Sequence, residues 1–187
     1  MNDAARLGAL PTWDLADLYP GTESPELAGD LEAAAAEAET FAAKYEGGLA
    51  ALDGAALGNA VAEYERQEER LGRIMSFAHL LYAGDITNPE TGRFFQTMQE
   101  KVNAVASVLL FFELELRRIE DDELEAKLVD AGLAKYRPWL RDMRAFRPYQ
   151  LSDEVEKLLL EKSVAGRASW VRLFDETIAD LRFPFKG

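Results

Sequence analysis

Apolar side chains return along most of this chain at steps of three and four residues, the spacing of one face of an α-helix. After Ser24 the series Leu27, Leu31, Ala34, Ala38, Phe41 and Tyr45 predicts a first long helix. Its start is written in Ser24-Pro25-Glu26: a capping hydroxyl, a proline at the first helical position and an acid at the positive end of the dipole. Gly47-Gly48 ends it. A second helix is predicted from about Asp53 to Ala83, with Leu57, Val61, Tyr64, Leu71, Met75, Ala78 and Tyr82 as its stripe. Glu68 falls where that stripe calls for an apolar residue, which predicts a locally exposed face rather than a buried charge. Asn88 then caps, and Pro89 begins, a third helix carrying Phe94, Met98, Val102, Val105, Leu109, Phe112, Leu116 and Ile119. At 1.5 Å per residue it would span ~45 Å, so the domain should be elongated.

The remaining segments are shorter. Asp121-Asp122 begins a fourth helix through Leu124 and Leu128, closed by Gly132. Pro138 and Pro148 bracket a helix carrying Trp139, Leu140, Met143 and Phe146. Ser152-Asp153-Glu154 starts another, with Val155, Leu158 and Leu159 expected inward; it is no capping box, because Val155 stands where Glu or Gln is needed. Gly166 separates it from a last helix with Trp170, Leu173, Phe174 and Ile178. Ahead of the first helix, Asp14 can cap a single turn that Trp13, Leu18 and Tyr19 should pin onto the helices. Leu181-Arg182-Phe183-Pro184-Phe185 alternates like a half-buried strand and reads as half a hairpin, its partner expected downstream in a longer parent chain. The expectation is an all-α fold: an elongated bundle of long antiparallel helices plus shorter C-terminal helices, with one short strand at the C-terminal end. It forms a single lobe over residues 1–187, a long-helix part over 1–119 and a shorter-helix part over 120–187.

Composition narrows the chemistry. The chain has 187 residues, suited to one domain or one lobe of something larger. No cysteine is present, which excludes disulfides, zinc fingers and cysteine nucleophiles and fits a reducing, cytoplasmic setting. The formal charge of −13 opposes nucleic acid and anionic membranes. The lone histidine, His79, cannot supply a His-Glu-x-x-His motif, and no Glu-x-x-His exists because Ser76 precedes it by three. It reads as structural. Glu63, Glu65, Glu68 and Glu69 spread around a helix with Arg66 and Arg70 among them, a solvated face rather than an acid/base pair. Glu120-Asp121-Asp122-Glu123 is a helix-start cluster and lacks the pattern of a calcium loop. Neither a phosphate loop nor a Gly-x-Ser-x-Gly elbow occurs. One patch runs against the overall charge: Lys135, Arg137, Arg141, Arg144 and Arg147, opposed by Asp142 alone and interleaved with Tyr136, Trp139, Phe146 and Tyr149. In so acidic a chain it predicts internal charge pairing or an acidic partner, not single-strand binding.

Several separated segments together resemble the oligoendopeptidase F group of zinc peptidases, related to thimet-type oligopeptidases. They are Leu10 to Tyr19, the turn Gly84-Asp85 to Asn88-Pro89-Glu90, and Phe111-Phe112-Glu113-Leu114-Glu115-Leu116. They continue with Arg147-Pro148-Tyr149-Gln150-Leu151-Ser152, Glu156-Lys157-Leu158-Leu159, Trp170-Val171-Arg172-Leu173-Phe174-Asp175 and Leu181 to Phe185. The resemblance implies a parent enzyme whose zinc is held by His-Glu-x-x-His plus a downstream Glu in a C-terminal lobe, with the motif glutamate activating the bound water. This chain resembles the N-terminal lobe that walls a channel for short peptides, and is expected to end before the zinc motif. No catalytic or metal residue carries over, and no cofactor is expected in this chain. Arg144, Arg147 and Tyr149 are the candidates for an interlobe or channel surface. The expected partners are the catalytic lobe of the same parent chain and, through it, short peptides, and the isolated lobe should self-associate through its exposed apolar patch. The competing readings are a stand-alone helical adaptor and, more weakly, a nucleic-acid or membrane-surface module using the Lys135–Arg147 patch.

Overall fold

The helix-start signals act where the sequence places them. The computed structural model describes residues 12–184. Helix α1 spans Pro25–Tyr45, and its first free N–H, on Leu27, is bound by the Ser24 hydroxyl at 3.3 Å. Helix α2 spans Gly54–Gly84 and is capped by Asp53, which accepts from the Ala56 N–H at 2.8 Å. Helix α3 spans Pro89–Arg118 and is capped by Asn88, which accepts from the Glu90 N–H at 2.9 Å. Each cap satisfies an amide that the first turn cannot.

These three rods run up, down and up, and their stripes close on one another. Phe41, Tyr64 and Phe112 meet at the centre, with Phe41–Phe112 and Tyr64–Phe112 ring centroids 5.1 and 4.7 Å apart. Phe112 is fully buried. Nearer the other end, Tyr19, Leu27, Ile74, Phe77 and Met98 form a second cluster. The turn before α1 is pinned there by Tyr19, whose hydroxyl donates to Asp30 at 2.6 Å while the Arg73 guanidinium covers its ring. Trp13, expected to help, is instead 80% exposed, because the Leu15–Tyr19 turn directs only Leu15, Leu18 and Tyr19 at the helices. Residues Leu10 and Pro11 of that segment lie outside the described residues.

Between α1 and α2, Gly47 takes a positive φ of 76°, and the Glu115 carboxylate on α3 accepts from the Gly47 and Leu49 N–H groups at 2.6 and 3.3 Å. The sequence gives no hint of this tie, which joins positions far apart in the chain. Helices α4 (Asp121–Lys127), α5 (Ala131–Ala134) and α6 (Arg137–Arg144) fold over that end of the bundle and bury Leu124, Leu128, Leu133, Leu140 and Met143. A side chain at Gly54 would overlap the Lys127 carbonyl, so glycine there lets α2 pass beneath the α4–α5 connection. Gly132, expected to close a helix, lies inside α5, whose start is set by Asp130 accepting from the Gly132 N–H at 2.8 Å.

Helix α7 (Asp153–Ser163), a π-type turn over Val164–Ala168 and helix α8 (Ser169–Asp180) then run back along α3 as a fourth rod. No residue of this arm is buried. The described residues form helices and connections without a strand; Leu181 to Pro184 is extended or irregular. The expected strand is therefore not formed there. Alternation gives a segment the side-chain pattern of a strand, but only a paired backbone makes it one. Phe185 lies outside the described residues.

Candidate functional site

The arm meets the bundle with a mixed face: Leu160, Val164 and Ala168 are half-buried along it, and polar bonds fasten its two ends. At its base, Arg118 on α3 pairs with Asp153 at the first position of α7, and the Gln150 amide donates to the Leu114 carbonyl at 3.2 Å. The bond to Arg118 holds the Asp153 carboxyl below its ordinary range. Ser152 makes no side-chain cap; the Glu156 carboxylate reaches back to the Leu151 N–H at 2.9 Å instead. At the far end Arg172 donates to Gln96 on α3 at 2.7 Å and to Glu176 at 2.7 Å. Between these fastenings Gly166, at φ −99° and ψ −105°, breaks the helical path.

On the other side of the arm an apolar stripe faces solvent. Val155, Leu158 and Leu159, expected inward, are exposed. Trp170 and Phe174 are 72% and 65% exposed, Leu173 and Ile178 flank them, and Phe183 beyond the helix is 81% exposed. Phe146, expected on a packed helix, is exposed as well, since α6 stops at Arg144. Single exposed apolar residues are ordinary, whereas a stripe of them along two helices is not.

The three residues singled out in the sequence lie near the base of this arm and divide into two kinds. Arg144 has a side chain only 9% exposed; its guanidinium caps α3 by donating to the Leu116 and Arg117 carbonyls at 2.7 and 3.2 Å and pairs with Asp121. Arg147 pairs with Glu120 at 2.8 Å. Tyr149 alone of the three presents itself fully to solvent. The rest of the basic patch is likewise occupied within the chain. Arg137 donates to Glu125 at 2.7 Å, Arg141 pairs with Asp142 at 2.7 Å, and the Lys135 ammonium lies 4.4 Å from the Tyr136 ring centroid. Four guanidinium groups matched to carboxylates leave little net field for phosphate. His79 is exposed and sits against Phe95, with ring centroids 5.7 Å apart.

Residues 115–183, from the last turn of α3 through α8, match the family model described as Oligopeptidase F, for the N-terminal domain of M3 peptidases. This stretch is similar to the N-terminal domain of oligopeptidase F, and the match supports an N-terminal lobe of that type. It takes in most of the resembling segments from Glu115 onward, while the opening segment and the Gly84–Glu90 turn lie outside it. No curated protein and no solved structure matches the chain. The matched stretch is also the one holding the outward apolar stripe. Among the described residues no helix is long and apolar enough to cross a membrane, and no group of three or more His, Asp or Glu is placed to hold a metal ion. Periodicity found the stripe residues of α7 and α8 but placed those of α7 inward, because a helical repeat states which residues share a face and not what that face meets.

Proposed function

We propose that this chain serves as the N-terminal, non-catalytic lobe of a zinc-dependent oligopeptidase acting on short peptides, and that it lends shape to the substrate channel. The observation that supports the reading is the coincidence of the family match with the unburied stripe over Val155–Ile178. A catalytic lobe packed on that stripe would complete a core the arm lacks. Trp170 and Phe174 are the anchors of such an interface, since buried aromatics dominate binding energy. Tyr149 would stand at its rim, with Arg144 and Arg147 holding the base of the arm in place. The extended Leu181–Pro184 segment would gain a paired strand from the same lobe. Zinc and the groups that activate water are assigned to that other lobe, and no step of peptide cleavage to this one.

The test adds the purified 187-residue chain to a separately expressed, zinc-loaded oligopeptidase F catalytic lobe, with cleavage of a quenched short peptide as the readout. The reading expects no cleavage by the chain alone, restored cleavage by the pair, and loss of that gain when Trp170 and Phe174 are both changed to Asp. Cleavage by the chain alone, or no gain on mixing with a folded catalytic lobe, overturns it. A gain on mixing also separates this role from that of a stand-alone adaptor.

A further inference from the structure

A second place in the molecule has the chemistry of a binding site and no part in the lobe assignment. Where Tyr136 and Trp139, at the start of α6, come against the first half of α2, a cavity of about 440 Å³ opens, lined by Tyr64, Tyr136 and Trp139 together with Glu65, Glu68 and Glu69. The aromatic wall is fixed. Tyr64 stacks on the buried Phe112 and lies 6.1 Å from Trp139 between ring centroids, and the Tyr136 hydroxyl donates to Glu65 at 2.6 Å.

Neither Glu68 nor Glu69 forms an ion pair among the described residues. Glu113, behind Tyr64, accepts from the Tyr64 hydroxyl at 3.2 Å and is matched by Arg117 at 2.6 Å. Loss of hydration against the aromatic wall, followed by the neighbouring Glu113 carboxylate, raises the pKa of Glu68. An arriving positive charge would relieve that cost. Aromatic faces attract cations through their quadrupole, and carboxylates at the mouth add a charge of the right sign. The chain's own Lys135, resting on the Tyr136 ring beside this cavity, shows that the surface takes an ammonium group.

We propose that the cavity between α2 and α6 binds an organic ammonium ion, held over Tyr64, Tyr136 and Trp139 and neutralised by Glu65, Glu68 and Glu69. The volume has room for an alkylammonium head together with the chain that carries it. The head belongs either to a basic side chain of a bound peptide or to a free small amine, and both share this chemistry. The site stands whether or not the lobe assignment holds.

The experiment titrates the isotope-labelled 187-residue chain with tetramethylammonium chloride and follows backbone amide shifts of residues 61–69 and 136–139, with sodium chloride at matched ionic strength as the control. Saturable shifts confined to those residues are expected. Trp139→Leu should weaken binding by about two- to fivefold, the worth of one cation–π contact at an exposed site. Glu68→Lys, a change at an exposed position that leaves the fold intact by circular dichroism, should abolish it. Shifts equal to those from sodium chloride, no saturation, or undiminished binding in Glu68→Lys overturn the proposal. Tighter binding of N-acetyl-lysine amide than of tetramethylammonium assigns the site to a basic side chain; the reverse order assigns it to a small amine.

Discussion

The α1–α3 body and the α7–α8 arm carry the same kind of apolar repeat and use it in opposite ways. In the body, Phe41, Tyr64, Leu109 and Phe112 turn inward and leave little of themselves to solvent. In the arm, Leu158, Trp170, Leu173 and Phe174 turn outward, and the contact with α3 combines the half-buried Leu160, Val164 and Ala168 with Arg118–Asp153 and Arg172–Gln96. The body is held by a fully buried core, the arm by a half-buried apolar edge and a few exposed polar bonds, and exposed pairs are worth little each. The arm is therefore the less firmly held of the two.

Three measurements can break or sharpen this contrast. The largest effect is expected in the body. Phe112→Ala should lower unfolding stability by about 3–5 kcal/mol in urea denaturation, because it removes a fully buried aromatic from the meeting point of three helices. A loss under about 1 kcal/mol would mean the body is not the stable unit.

The second measurement concerns the base of the arm. Asp153 is held below its ordinary pKa, so its contribution is fully present above the unfolded value, about 3.9, and is lost as pH falls through the lower folded value. Both partners are about half exposed, 47% and 54%, so the loss should not exceed about 1 kcal/mol. Hydrogen exchange corrected for intrinsic rate should show α7 amides losing protection on acidification below about pH 4 before those of α2, and Asp153→Asn should remove the difference. Simultaneous loss in both helices would fuse arm and body into one cooperative unit.

The smallest effect is expected on the outward stripe. Phe174→Ser should change stability by no more than about 0.5 kcal/mol, as at surface positions generally. The same change should reduce the concentration-dependent self-association that an uncovered apolar face causes, read by light scattering. A large stability loss would show that Phe174 is buried in solution.

Much of the helical part was legible before any coordinate. Ser24, Asp53 and Asn88 cap where their residue types favour capping, because a cap needs only a side chain and the next turn of its own helix. The exposed Glu68 was legible as well, since one carboxylate on an apolar stripe implies that the stripe is open there. The inward placing of Val155, Leu158 and Leu159 failed, and so did the strand at Leu181, because each depends on a surface that another segment must supply.

The sequence alone determined which stretches are helical, which residues share a face, and that one histidine and no cysteine leave few ways to build a metal centre here. Those properties arise from neighbours within a turn or two of the chain and from composition. Only the tertiary structure decided that Glu115 ties down the α1–α2 connection, that Arg144 caps α3 from another helix, and that three aromatics and three acids share one cavity. It also decided that the arm shows its apolar side to water. A periodic pattern sets the direction of a face relative to its own helix axis, and which way that axis is rolled is fixed by packing between segments far apart in sequence.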